Sequence, residues 1–272
     1  MPLSRLAAGS TIRGAVDSIA GEEASDLLRR ASGALAEARV SDTSPIAAIG
    51  VGEAVVTLLG ATLETDLRRA IAADQIEVLF QPQLSVASGK VVGVEALARW
   101  QHPEHGEMGA DTLFAVAGRS DYLAALSAHI QARALSIAAA WGPSLERLRL
   151  AINLTAGDVA RADFANEFLA LVDTSGFART QLTVEITEGG LMDNLEAAAQ
   201  TFATLRAGGV RVAIDDFGTG YSSLAWLKAL PLDYLKIDKG LAQDITGTAR
   251  DRVVVRSVID MARSLGLAVV AE

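Results

Sequence analysis

Along the chain, apolar positions switch between a spacing of two and a spacing near 3.6, and each switch marks an element boundary. Residues 63–73 have helical spacing, after which Ile76, Val78 and Phe80 alternate with polar neighbours and predict a strand over 76–80. Ala87-Ser-Gly-Lys90 reads as a turn and 91–97 as a second strand, so the two predict an antiparallel hairpin. Beyond it, short apolar runs at 148–154, 182–186, 210–214, 234–237 and 267–271 predict strands. Helical spacing at 111–117, 122–140, 164–175, 195–207, 223–229 and 250–265 falls between them. Such alternation, with strands apolar on both faces, predicts an α/β fold: a parallel sheet covered by helices.

Residues 1–62 have a different texture. Leu27, Leu28, Ala31, Leu35 and Ala38 recur at helical spacing with Arg29, Arg30, Glu37 and Arg39 between them, which predicts an amphipathic helix. Too few elements surround it to close a core. The segment is therefore divided from residues 63–272 as an N-terminal helical arm or linker.

Composition narrows the function classes. The chain has 272 residues with 33 acidic and 24 basic side chains, a net charge of −9, which argues against a general nucleic-acid or anionic-membrane binder. It has no cysteine, which excludes disulfides and thiolate metal sites. The start lacks the apolar stretch of a secretory signal, and the most apolar window, 46–63, carries Glu53 and three glycines. A cytoplasmic protein without a membrane segment is the expectation.

The chemistry stands at the strand ends. Glu95, Asn153, Glu185, the pair Asp215-Asp216, Lys236 and Glu272 lie at or near the ends of successive predicted strands. In an α/β barrel these ends open onto one face, where catalytic residues gather. An isolated Asp-Asp reads equally well as a solvated turn capping the next helix. Six successive polar strand ends do not fit core packing, because buried charge is costly unless paired or metal-bound. Carboxylates and one amide, with neither Cys nor His, make a hard donor set that favours Mg²⁺ or Mn²⁺ over zinc. Lys236, within an apolar strand, needs partners. Arg99 could instead pair with a surface carboxylate, Glu188 and Asp238 could be structural, and His102, His105 and His129 lack ligand spacing.

The residues quoted so far belong to longer strings. Glu95-Ala-Leu97 runs on as Ala-Arg-Trp-Gln-His-Pro, and Phe80-Gln-Pro82, Asn153-Leu-Thr, Glu185-Ile-Thr-Glu188, Leu235-Lys-Ile-Asp238 and Val269-Val-Ala-Glu272 flank it in order. The most specific is Asp215-Asp-Phe-Gly-Thr-Gly-Tyr-Ser-Ser-Leu224. Together they resemble the EAL domain family of cyclic di-GMP phosphodiesterases. The segment from Asp26 to Arg39 resembles, over a short stretch, the last helix of a GGDEF (diguanylate cyclase) domain, but no Gly-Gly-Asp-Glu-Phe is present.

The resemblance implies a TIM-like (β/α) barrel whose first strand is antiparallel. It implies that Glu95, Asn153, Glu185 and Asp215 ligate one metal and that Asp215 is shared with a second beside Asp216, as Mg²⁺ or Mn²⁺. Lys236 would orient water or neutralise phosphoryl charge, Glu272 would act as general base or position the water, and Glu188 would anchor the loop after Asp216. Gln81, Leu97 and Arg99 would bind the substrate, cyclic di-GMP, with linear pGpG as product and a homodimer as the assembly. Ala110 and Gly118-Arg-Ser depart from the family pattern and imply an altered pocket rim. Because the chain ends at Glu272, the barrel is expected to lack its closing elements. The alternative is a catalytically silent cyclic di-GMP receptor or interaction module.

Overall fold

The computed structural model describes residues 63–118, 122–191, 195–218 and 224–271, together with two short strands, β1 (Arg13–Ala15) and β2 (Ile46–Ala48). The predicted amphipathic helix over 27–38 and the resemblance of that stretch to a cyclase domain lie outside the described residues. The chain divides into two compact units, Met1–Ala73 with Ala115–Ser120, and Asp74–Phe114 with Asp121–Glu272. In the first, β1 and β2 pair in parallel, and a helix over 63–72 buries Leu67 and Ala70. No described helix is long and apolar enough to cross a membrane.

The second unit is built on one sheet. Its strands are β3 (Ile76–Leu84), β4 (Val91–His102), β5 (Gly106–Gly109), β6 (Arg149–Asn153), β7 (Leu182–Thr187), β8 (Arg211–Phe217), β9 (Tyr234–Ile237) and β10 (Ala268–Ala271). The order is β10-β9-β8-β7-β6-β4-β3, with β5 against β4. β3 and β5 are antiparallel to β4, and every other pairing is parallel. Thus the predicted hairpin followed by parallel strands is what forms.

Strand β3 continues past the predicted limit at Phe80, through Pro82 to Leu84. Proline cannot donate to a ladder, but among the described residues β3 is an edge strand, where the missing N–H costs nothing. The β3–β4 turn closes with Ser85 N–H to Lys90 O at 2.9 Å, and Gly89 takes the left-handed φ of +66° that this turn requires.

The sheet curls strongly. β9 and β4 are separated by three strands, roughly 19 Å across a flat sheet. Yet Lys236 Nζ on β9 lies 2.9 Å from Glu95 Oε2 on β4. Helices cover the outside: Leu123–Ala139 contacts β3 and β6, Leu195–Ala207 contacts β8, and Ala249–Ser264 contacts β10. Leu150, Ile152, Leu182, Val184, Val212, Ile214 and Leu235 make the sheet's buried apolar layer against these helices. Among the described residues β3 and β10 remain the two edges of this open barrel.

A buried polar knot fixes one end of β6. Asp158 Oδ2 accepts from Ser127 Oγ at 2.6 Å, Thr155 N at 2.9 Å and Thr155 Oγ1 at 2.8 Å, and Thr155 Oγ1 accepts from Asp158 N at 3.0 Å. The result is a capping box at the start of the Ala156–Ala160 helix, tied to the Leu123–Ala139 helix through Ser127. Because Asn153 lies two residues before Thr155, this knot holds its strand end. Asp158→Ala strands these buried donors and is expected to cost about 1–3 kcal/mol, measurable by urea unfolding.

Candidate active site

Alternation along the strands decides which side chains share a face. Glu95, Leu97 and Arg99 share one face of β4, Asn153 stands at the end of β6, Glu185 on β7, Asp215 on β8 and Lys236 on β9. The parallel register sets Asn153 beside Glu185 and Thr187 beside Asp215, so the strand ends meet on one face of the curled sheet.

Lys236 is the hub of this face. Its Nζ donates to Glu95 Oε2 at 2.9 Å, Glu185 Oε2 at 2.7 Å and Asp215 Oδ2 at 2.8 Å. An ammonium carries three donors, and three carboxylates accept here. Lys236 is 1% exposed and Glu185 2% exposed, so water contributes almost nothing to solvating the group. Asn153 joins through Nδ2, which donates to Glu95 Oε1 at 2.9 Å.

Burial pushes the Glu185 carboxyl up to about 8, with the Glu95 and Asp215 charges adding to the rise and Lys236 opposing it. Burial alone would lower the Lys236 ammonium, but the Glu185, Asp215 and Glu95 carboxylates outweigh it and move it up. Three carboxylates against one ammonium leave excess negative charge in a dry site. One oxygen from each of Glu95, Glu185 and Asp215 lies within 4.8 Å of the others, a spacing that a divalent cation could span. The all-oxygen donor set suits a hard ion such as Mg²⁺, Mn²⁺ or Ca²⁺.

The other expected site residues stand around this group. Asp216 takes a left-handed φ of +55°, at a shift in the β8–β9 register, and its N–H donates to Asp215 Oδ1 at 2.8 Å. It lies beside the three-carboxylate group rather than within it. Gly218, at φ +109° with Leu241 Cδ2 3.0 Å from where a Cβ would sit, lets the chain leave the sheet sharply. Gln81 faces Glu95 across the β3–β4 ladder and lines a cavity of about 520 Å³ with Glu95, Glu185 and Lys236.

Leu97 and Arg99 are half-buried farther along β4. Arg99 Nη1 donates to Ala98 O at 2.8 Å, and its Nε lies 3.9 Å from Glu107 Oε1 on β5. Glu188 is buried in the 3₁₀ turn that follows β7. Residues 219–223, the loop it was expected to anchor, and Glu272 lie outside the described residues.

None of the three histidines joins the carboxylate group. His102 Nδ1 accepts from the N–H groups of Glu104 and His105 at 3.1 and 3.2 Å, holding the β4–β5 turn, while His129 and Arg133 flank Asp74. Trp100 is buried, and Trp141 packs edge-on against Phe80 and Phe177. Sequence reasoning missed the Ser127–Thr155–Asp158 knot. Its legible part was Thr155-x-x-Asp158, which has the spacing of a capping box.

The EAL domain family matches residues 64–272. The chain belongs to the EAL domain family. Cyclic di-GMP phosphodiesterase NbdA of Pseudomonas aeruginosa is 36% identical to it over 253 residues, 93% of this chain and 32% of NbdA. The chain thus spans about a third of the length of that relative. Among solved structures, the PaMucR phosphodiesterase in its c-di-GMP complex is 31% identical with a TM-score of 0.71, covering 77% of this chain and 85% of that one. Klebsiella pneumoniae BlrP1, in a calcium and cyclic di-GMP complex, is 28% identical with a TM-score of 0.64 over 72% of this chain and 48% of that one. These matches bear out the EAL resemblance and the TIM-like α/β fold that the motifs imply.

Proposed function

We propose that this EAL domain is a metal-dependent phosphodiesterase that hydrolyses cyclic di-GMP to linear pGpG. The observation that carries the proposal is the buried Glu95–Glu185–Asp215 group at the strand ends of an EAL domain. The similarity to NbdA and to the PaMucR and BlrP1 complexes supports the substrate.

Glu95, Asn153, Glu185 and Asp215 would hold one divalent ion, and Asp215 with Asp216 would hold a second. When bound, Mg²⁺ or Mn²⁺ supplies Lewis acidity toward a phosphate oxygen and lowers the pKa of water. Lys236 offsets charge that develops on the phosphoryl group. Glu272 takes the proton from the attacking water. The water oxygen bonds to phosphorus as one phosphorus–ester bond breaks, and the departing ribose oxygen takes a proton from solvent, which balances the one Glu272 removes and returns to solvent. The ring opens to a linear dinucleotide with one terminal phosphate.

Gln81, Leu97 and Arg99 position the nucleotide, and Glu188 anchors the loop after Asp216. The Arg99–Glu107 pair is long, with Glu107 57% exposed, so exchanging it for a substrate phosphate costs little. With Mg²⁺ or Mn²⁺ present, cyclic di-GMP is expected to give pGpG, and Glu95→Ala is expected to give none. Binding without cleavage by the folded wild-type chain would favour the silent-receptor alternative.

Metal affinity should rise with pH. Glu185 binds its proton more tightly than the ordinary value of 4.5 allows, up to about 8, and a metal requires the ionised form. Mn²⁺ affinity measured by calorimetry is expected to fall by up to about tenfold for each unit below pH 8 and to level off above it. The same shift acts oppositely on the metal-free fold. A pKa raised by folding contributes stability that is fully present below about 4.5 and is lost as pH rises through about 8. An affinity independent of pH between 6 and 8 would remove Glu185 from the ligand set.

A further inference from the structure

The opposite, amino-terminal ends of the same strands carry a second charged group that the hydrolytic site does not use. Arg149 opens β6, Arg211 opens β8 and Tyr234 opens β9. Although Arg149 and Tyr234 are 85 residues apart, the curl of the sheet brings them together. Arg149 Nη1 donates to Tyr234 Oη at 2.7 Å, and Arg211 Nη1 donates to the same oxygen at 2.9 Å. Two permanently charged guanidinium groups therefore face each other across one neutral oxygen.

This arrangement lacks the group that ordinarily holds arginines together. Among the described residues neither Arg149 nor Arg211 has an ion-pair partner. Asp233, the carboxylate adjacent to Tyr234, is engaged elsewhere: Arg206 Nε and Nη2 donate to it at 3.0 and 2.9 Å, and the Val212 N–H at 3.0 Å. Both lone pairs of the Tyr234 oxygen are taken by the arginines, which leaves its O–H as a donor. Arg149, Arg211 and the Tyr234 O–H thus offer hydrogen and positive charge at this end.

There is also room for a ligand. Arg149 and Tyr234 line the cavity of about 520 Å³, and buried Thr183, which faces Arg211 across the β7–β8 ladder, lines it beside them. The acidic residues of that cavity, Glu95 and Glu185, are turned to Lys236 at the other end. Arg149 and Asn153 are four positions apart along their strand, as are Arg211 and Asp215, about 13 Å at the rise of a β-strand. An anion at the arginine end stands that far from Asn153 and Asp215, while Glu95 and Glu185, two positions on from the residues that pair with Arg149 and Arg211, line the same cavity about 7 Å away.

The geometry points to an oxyanion site formed by Arg149, Arg211 and Tyr234 at the amino-terminal face, suited to a phosphate-sized dianion. Guanidinium forks match phosphate oxygens, and the dianion neutralises the two facing charges. The phenol O–H supplies a further hydrogen bond. The site stands independently of the hydrolase proposal, because it uses none of the residues assigned there.

Titration with inorganic phosphate tests it. Calorimetry on the whole chain, with chelator present and chloride at matched ionic strength as the blank, is expected to give one saturable site per chain. Arg149→Gln and Arg211→Gln should each weaken it at least tenfold, and Arg147→Gln, a change at an exposed neighbouring arginine, should leave it unchanged. Tyr234→Phe keeps the ring and removes the hydroxyl, so it should weaken binding several-fold even if an arginine variant fails to fold. Absence of saturable phosphate binding in the wild type would overturn the site. So would equal weakening by Arg147→Gln and Arg211→Gln, or equal heats with chloride alone, because either marks general charge screening.

Discussion

Glu185→Gln is expected to lower divalent-ion affinity and cyclic di-GMP hydrolysis by more than the roughly 10–100-fold that changing an outer partner of a metal ligand costs. The substitution keeps the size of the side chain and one oxygen, but it removes the charge a hard cation requires. It should do so without unfolding the chain. Burial already pushes the Glu185 carboxyl up to about 8, so a neutral side chain at this position costs the metal-free protein little near neutral pH. The melting temperature in chelator is therefore expected to stay level or rise, while the stabilisation conferred by Mn²⁺ on the wild type disappears. Loss of stability in chelator together with unchanged Mn²⁺ affinity would identify Glu185 as a structural partner of Lys236 rather than a ligand.

Lys236→Met has the opposite signature. Its Nζ is the shared partner of Glu95, Glu185 and Asp215, all at 2.7–2.9 Å in a group that water barely reaches. Removing one partner from a buried ionic group leaves uncompensated charge and costs about 3–5 kcal/mol. Urea unfolding in chelator at pH 8 should show that loss. At lower pH the loss should shrink, because protonation of the carboxylates removes the charge left unpaired. Added Mn²⁺ should restore much of the stability, since a divalent ion can neutralise the same oxygens. Equal unfolding midpoints for wild type and Lys236→Met in chelator would contradict the hub geometry. If Mn²⁺ restores the fold but hydrolysis stays low, Lys236 contributes to the chemistry as well as to the charge balance.

The contrast between these two residues explains what could be read before the fold was known. Lys236 sits in an otherwise apolar strand, and such a lysine has to find carboxylates; the candidates were the polar residues at the other strand ends. The structure brings Glu95, Glu185 and Asp215 to it, with Asn153 beside Glu95. Strand periodicity placed these residues at strand ends of one parallel sheet, and the curl that brings them to Lys236 became visible only in the structure. The edge position of β3 is not written in its own residues, so the sequence puts the strand's end before Pro82 where the structure continues it to Leu84. β5 escaped notice because Gly106–Gly109 has no alternating apolar pattern; its pairing with β4 forms it.

Contacts between distant residues were the least legible. No local pattern links Ser127 to Asp158, or Arg149 to Tyr234, because both depend on how helices dock and how far the sheet curls. Backbone strain is equally hidden: nothing in Asp215-Asp216 distinguishes the residue that continues the strand from the one that turns left-handed at φ +55°. Arg99 illustrates the same limit at the rim. Its sequence context fits a phosphate contact or a surface ion pair, and the structure places it 3.9 Å from Glu107 and on the same strand face as Glu95.

Incubating the chain with cyclic di-GMP and Mn²⁺, and resolving the nucleotides by chromatography, separates hydrolysis from binding alone. Linear pGpG should accumulate with the metal, cease on chelation, and be missing from Glu185→Gln and Glu95→Ala reactions run in parallel. Intact cyclic di-GMP recovered from a folded, Mn²⁺-loaded wild-type chain that binds the nucleotide would contradict the assignment of a two-metal hydrolase.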